Sequence, residues 1–220
     1  MKTILCYGDS NTYGYDPKLG RRSRYPKYKR WPTILQNLLG NKFEVIAEGL
    51  NGRTTAYDRP GFPWKNGVSV LPAIMGSHKP IDYLVFMLGT NDCNLEMELS
   101  SEDIASGMET LVQTARSMAM IQQERIPTII VIAPSPILED YGSSPFVDEI
   151  DLSSVRKSRE IADLYKNICI KYNCIFIDGS PAEVSTIDSE HLTEQGHETI
   201  AQLVYNKIQY NIANNQNIKA

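Results

Sequence analysis

Four short polar motifs in this chain hold the residue types needed to move an acyl group. Ser10 lies in Gly8-Asp9-Ser10-Asn11, Gly52 in the turn at residues 49–54, Asn91 in Gly89-Thr90-Asn91-Asp92, and His191 in Asp188-Ser189-Glu190-His191. A serine hydroxyl is a poor nucleophile until a base takes its proton. His191 could be that base, because Asp188 three residues earlier can fold back onto imidazole Nδ1 and leave Nε2 facing outward. The Asn91 side-chain amide could point at a developing oxyanion, and a backbone N–H at Gly52 could add a second donor, each worth on the order of 3 kcal/mol in the transition state. Gly49 is a second candidate for the glycine donor. Taken singly, each motif also reads as an ordinary turn or cap. Together they supply a nucleophile, a base with its carboxylate, and oxyanion donors, which points to a serine hydrolase.

The other two histidines fit the role less well. His78 precedes Pro80 and an apolar run, which places it at the amino edge of a sheet, and His197 falls inside a helical stretch and reads as a packed residue. Neither has an aspartate three positions ahead.

These motifs need elements that bring them together. Apolar runs rich in β-branched and aromatic residues occur at 3–7, 43–47, 83–88, 128–133 and 175–177, with helical spacing at 31–39, 70–77, 101–123, 152–172 and 193–210. Ser101 is the expected N-cap of the third helix, with Ile104, Met108, Leu111, Val112, Ala115 and Met118 as its apolar stripe. Strands apolar on both faces and joined by helices predict an α/β fold, a three-layer α/β/α sandwich around a five-stranded parallel sheet of flavodoxin-like type. In such sheets ligands sit beyond the carboxyl ends of the strands, where the four motifs fall. Long connections at 11–30, 50–69 and 134–150 are expected to serve the site. We read one domain over residues 1–211 and a frayed polar tail over 212–220, with no internal repeat.

Composition narrows the classes. With 42% hydrophobic and 22% charged residues the chain reads as globular rather than disordered, and a net charge of −4 offers no general attraction to nucleic acid or anionic membrane. The first apolar stretch, residues 4–7, is too short for a secretory core or a membrane span. Cys6, Cys93, Cys169 and Cys174 form no C-x-x-C pair and no zinc-like spacing, so reduced cysteines and a cytoplasmic location are expected.

In order and content the four motifs resemble the Ser, Gly, Asn and His blocks of the SGNH hydrolases, also called GDSL-like esterases. They are most similar to the arylesterase and acyltransferase branch, through residues 48–55 and 87–92. The resemblance implies Ser10 as nucleophile, His191 as general base and then acid, and Asp188 as its orienting carboxylate. It also implies an oxyanion hole made by the Ser10 N–H, the Gly52 N–H and the Asn91 side chain, no metal or organic cofactor, and a homo-oligomer. Asn11 stands where the namesake motif has leucine, a change expected at the pocket floor.

No G-x-S-x-G elbow, phosphate-binding glycine loop or H-E-x-x-H motif is present. Lys18, Arg21, Arg22, Arg24, Lys27, Lys29 and Arg30 form a basic stretch interleaved with Tyr25 and Tyr28. We read it as a solvated loop or subunit contact rather than a nucleic-acid surface, and it could also guide an anionic substrate. Asn11, Tyr13, Tyr15 and Thr90 are expected to line the pocket on one side, and Ile137, Leu138, Tyr141 and Phe146 to cover another.

The expected function is hydrolysis of short-chain acetyl or aryl esters through an acyl-serine, with transfer to another alcohol as a variant outcome. A carbohydrate acetylesterase or a thioesterase would use the same machinery. A non-catalytic binding protein is the rival on the same fold.

Overall fold

A computed structural model describes residues 1–20 and 23–217. Five strands, β1 (Lys2–Gly8), β2 (Phe43–Gly49), β3 (Tyr83–Met87), β4 (Thr128–Ala133) and β5 (Ile175–Asp178), pair in the order β2-β1-β3-β4-β5, all parallel. Adjacent residues along a strand face opposite sides, and here both sides are dry. Leu5, Tyr7, Leu84, Phe86, Ile129 and Val131 pack into one cluster, while Ile4, Cys6, Tyr83, Val85, Met87, Ile130 and Ile132 pack into the other. That is why these runs read as continuously apolar.

Among the described residues, six α-helices complete the layers: α1 (Ser10–Tyr13), α2 (Trp31–Leu39), α3 (Gly67–His78), α4 (Ser101–Gln123), α5 (Leu152–Tyr172) and α6 (Glu194–Asn217). Leu71 and Met75 of α3, Ile104, Met108 and Leu111 of α4, and Ile161 and Tyr165 of α5 cover the first face. Trp31 and Leu35 of α2, with Ile200, Val204 and Ile208 of α6, cover the second. The three-layer sandwich expected from the sequence is therefore the fold. Among the described residues, no helix is long and apolar enough to cross a membrane.

The chain runs from β1 outward to β2 and then returns to the other side of β1 to form β3. The connections thus diverge between β1 and β3, and a crevice opens at the carboxyl ends of those two strands. Ser10 follows β1 and Asn91 follows β3, so one topological feature brings residues 81 positions apart to the same place.

Two expectations need correction. The cap of α4 is Ser100, not Ser101: its hydroxyl accepts the Asp103 N–H while the Asp103 carboxylate accepts the Ser100 N–H, a reciprocal capping box. Ser101 is the first helical residue, and its hydroxyl donates to Glu160 on α5. The polar tail expected from residue 212 is helical through Asn217; beyond Gly196 in its first turn, α6 contains no glycine or proline.

Candidate active site

β1 ends in Gly8, and Asp9 caps the short α1 by accepting the Asn11 N–H at 2.9 Å. This turn presents Ser10 at the mouth of the crevice. A side chain at Gly8 would collide with Thr12 and with the Met87 carbonyl, so glycine is what allows the turn to fold so tightly against β3.

His191 arrives from the segment between β5 and α6. Its Nδ1 lies 2.9 Å from Asp188 Oδ2 and its Nε2 lies 2.8 Å from Ser10 Oγ. With Nδ1–H donating to the carboxylate, Nε2 is left to accept the serine hydroxyl proton. The other Asp188 oxygen accepts the His191 backbone N–H at 3.2 Å, so the three-residue spacing closes a small ring. Asp188 and His191 are almost fully buried, and Ser10 is 8% exposed.

Further bonds fix the histidine segment. Asn11 accepts the Leu192 N–H at 2.8 Å and donates to the Glu190 carbonyl at 3.2 Å. Ser144 donates to the Asp188 carbonyl and Ser189 to the Asp140 carbonyl, which ties the 134–150 connection to the same segment. The Tyr15 ring stacks on the imidazole with centroids 4.2 Å apart.

Two pinned loops build the wall of the crevice that carries Gly52 and Asn91. Asp92, buried in the Gly89-Thr90-Asn91-Asp92 loop, accepts both the Thr55 N–H and the Thr55 hydroxyl. Arg53 donates to the Gly8 carbonyl at 2.8 Å and to the Glu48 carbonyl, and lies 4.0 Å over the Tyr7 ring, so it locks the ends of β1 and β2 together. The Asn91 amide donates to the Arg53 carbonyl at 3.1 Å, which fixes its rotamer at the cavity wall.

The two candidate glycines have different surroundings. Gly49 is packed against α1, where a Cβ would sit 2.1 Å from the Tyr13 nitrogen; its lack of a side chain serves that close approach. Gly52 lines the cavity and has φ of 76°, a left-handed conformation that glycine adopts without strain.

Ser10, His191, Gly52 and Asn91 share one cavity of about 320 Å³, with Tyr15 and Phe146 as its aromatic walls. The other residues expected there lie elsewhere. Asn11 braces the histidine segment from beneath instead of forming the floor. Tyr13 lies under the Arg24 guanidinium at 4.0 Å, and Thr90 is buried behind its loop. Ile137 and Tyr141 pack into the core. Asn51, Arg59, Lys65, Glu149 and Glu190 line the cavity although sequence reading did not select them. Of these, Glu190 and Asn51 carried a local signal, being adjacent to His191 and to Gly52 in their motifs.

The site is negative around its imidazole. Burial acts to lower the His191 pKa, but the Asp188 hydrogen bond and the charges of Glu190, Asp188 and Asp9 outweigh it, so the net direction is upward from 6.5. Burial pushes the Glu190 carboxyl up to about 7 and Asp9 and Asp92 up to about 6.

The remaining histidines do not enter this site. His78 meets Glu48 at 2.8 Å. His197 is fully buried against Tyr25, and burial lowers its pKa to about 3. In the basic stretch, Arg24 donates to the Tyr13 carbonyl, Arg30 to the Tyr25 carbonyl, and Lys29 to Glu194 at 2.7 Å. Those three cations are engaged within the molecule; Arg21 and Arg22 lie outside the described residues.

Chemically, this arrangement can take a proton from Ser10, hold it on a carboxylate-backed imidazole, and offer amide donors across a small cavity. Comparison with known proteins agrees with that chemistry. The sequence pattern of the GDSL-like lipase/acylhydrolase family matches residues 6–199. A carbohydrate acetylesterase family member from Sinorhizobium meliloti is 36% identical over 96% of this chain and 98% of its own, with a TM-score of 0.88. The native aryl esterase of M. smegmatis is 31% identical over 96% and 99%, with a TM-score of 0.87. No match is found among curated protein sequences. The chain belongs to the GDSL-like lipase/acylhydrolase family and is a carboxylic-ester hydrolase on the SGNH plan.

Proposed function

We propose that this enzyme removes short acyl groups, acetyl foremost, from small esters through an acyl-Ser10 intermediate. The observation that carries the reading is the unbroken row from Asp188 through His191 to Ser10, ending in a cavity sized for a small ester. Ser10 Oγ attacks the ester carbonyl carbon while its proton passes to His191 Nε2. Gly52 and Ser10 backbone N–H groups and the Asn91 amide receive the oxyanion. As the tetrahedral intermediate collapses, the C–O bond to the alcohol breaks and the alcohol leaves with the proton from His191. A water then repeats the sequence on the acyl-enzyme and releases the carboxylic acid; a second alcohol in place of that water gives transfer.

Aryl acetates and acetylated carbohydrates are the substrate classes to compare. The M. smegmatis relative supports the first, and the second fits the polar walls and the Sinorhizobium meliloti relative. We place the enzyme in the reducing cytoplasm, in keeping with four free cysteines, and expect a homo-oligomer. The direct test is intact-mass detection of a fluorophosphonate adduct on Ser10, together with turnover of a panel of aryl acetates, acetylated sugars and acyl thioesters. An unlabelled Ser10 and an inert panel would make the chain a binding protein.

The pH dependence follows from the site charges. His191 acts only when neutral, and its pKa lies above 6.5. The rate therefore falls as pH drops, and kcat/KM for an aryl acetate is expected to have an acid limb centred above 6.5. Glu190→Gln removes a negative charge that favours imidazolium, so the limb should move to lower pH. A limb that stays in place or moves upward would contradict this coupling.

A further inference from the structure

Two cationic side chains, Arg59 and Lys65, line the cavity together. Arg59 is anchored through two of its three nitrogens, Nε to Glu96 at 2.5 Å and Nη2 to Glu149 at 2.9 Å. Its Nη1 remains, and it approaches the Gly52 turn: a Cβ built on Gly52 would sit 3.0 Å from Nη1 and 2.6 Å from Lys65 Nζ. Lys65 reaches the same point from the far end of the loop, its ammonium 4.4 Å from the centre of the Phe62 ring. Among the described residues, no carboxylate lies within ion-pairing distance of Lys65 Nζ.

Two like charges converging on a cavity wall repel each other, and a partly buried ammonium loses hydration as well. Both effects act on Lys65, whose pKa is lowered first by burial and then by Arg59, with the charges of Glu149 and Glu96 offsetting part of the shift. The Arg59 guanidinium cannot swing away, because Glu96 and Glu149 hold it. The repulsion is relieved when an anionic oxygen group bridges the two nitrogens, since charge-assisted hydrogen bonds to both are then made at once.

The geometry points to an anion subsite, formed by Lys65 Nζ and Arg59 Nη1 beside Gly52, that selects ester substrates carrying a carboxylate or similar anionic oxygen group. This inference rests on the esterase reading and names the substrate class within it. Because Gly52 is also an expected oxyanion donor, the anchored anion lies close to the reacting carbonyl. Glu149, paired with Arg59, and Glu190 also line the cavity and disfavour a carboxylate placed beside them, so the subsite fixes orientation as well as charge. The anion could belong to the alcohol or to the acyl portion, and the test separates the two.

Two matched pairs of esters probe the two portions: 4-acetoxybenzoate against its neutral methyl ester, and monophenyl adipate against phenyl hexanoate. For one pair, kcat/KM of the charged ester should exceed that of its neutral partner by at least about tenfold, a ratio equivalent to ~1.4 kcal/mol. Lys65→Met should abolish that preference, mainly through KM of the charged ester, whereas Lys65→Arg should retain it to within about threefold. The preference should also weaken with added salt. If neither charged ester is preferred, or if Lys65→Met leaves the ratio where it was, the subsite does not exist. Calorimetric titration with 4-acetamidobenzoate and with hexanedioic acid monoanilide reads binding without turnover. Tighter binding to the parent than to Lys65→Met therefore supports the subsite even if Ser10 proves unreactive, and equal binding overturns it.

Discussion

Ser10→Ala is expected to lower turnover of an activated acetate ester by at least about 10³-fold. The Ser10 hydroxyl is the group that would form the covalent bond, and it lies 2.8 Å from His191 Nε2. Removing it leaves Asp188 and His191 paired, because their bond at 2.9 Å does not involve the serine. The Asp9 cap of α1 also survives, since it uses the Asn11 backbone N–H. The variant should therefore melt close to the parent, and the loss should appear in kcat with little change in KM. Some catalysis should remain, since the amide donors can still stabilise an oxyanion formed by direct attack of water, a contribution of about 10³-fold over solution in comparable sites. Pure Ser10→Ala protein that turns over the ester at the parent rate would show that the nucleophile lies elsewhere.

How much of this architecture was legible beforehand depends on the range of the interactions involved. The five strands stand out because each is buried on both faces, so their residues are apolar without alternation. Asp188 and His191 could be paired from spacing alone, because the ring they form closes within three residues. The range 101–123 expected for α4 is the observed one, but its cap lies one residue earlier than expected, because Ser100 and Ser101 are equally good caps by residue type. Asp103 decides between them, standing three residues after Ser100.

The cavity walls depend on longer-range contacts. Arg59 and Lys65 come from one loop and Glu149 from another, and Arg59 bridges 90 positions to reach Glu149. Nothing in the local pattern of either loop marks these residues. Gly52 was likewise the first candidate for the glycine donor in sequence, with Gly49 the second. What separates them is the Tyr13 backbone, which arrives from α1 and occupies the space beside Gly49. Asn11 shows the opposite error: proximity to Ser10 suggested a pocket role, but its amide reaches 181 positions along the chain to hold Leu192.

Asp188→Asn is the second large expected effect, about 10⁴-fold in kcat with KM nearly unchanged. Asp188 does two jobs with two oxygens. Oδ1 accepts the His191 backbone N–H, and Oδ2 faces the imidazole Nδ1. Asparagine can keep the first bond through its carbonyl, which preserves the segment and makes this substitution cleaner than alanine. Its NH₂ group then faces Nδ1 and donates to it. The imidazole must place its proton on Nε2, where it meets the Ser10 hydroxyl and cannot accept a proton from it. Shape is retained while the base function is lost. Loss of the carboxylate charge should also lower the His191 pKa, since Asp188 supports it by hydrogen bond and by charge. Raising the pH should therefore not restore activity, because the defect is the position of the proton and not the number of protons bound. Fluorophosphonate labelling of Ser10 should slow in parallel with turnover, as it needs the same deprotonation. An Asp188→Asn enzyme within about tenfold of the parent would mean that His191 is oriented by some other group. Glu190 Oε1, 3.7 Å from Nδ1, is the nearest other carboxylate oxygen among the described residues, and the double substitution with Glu190→Gln would identify it.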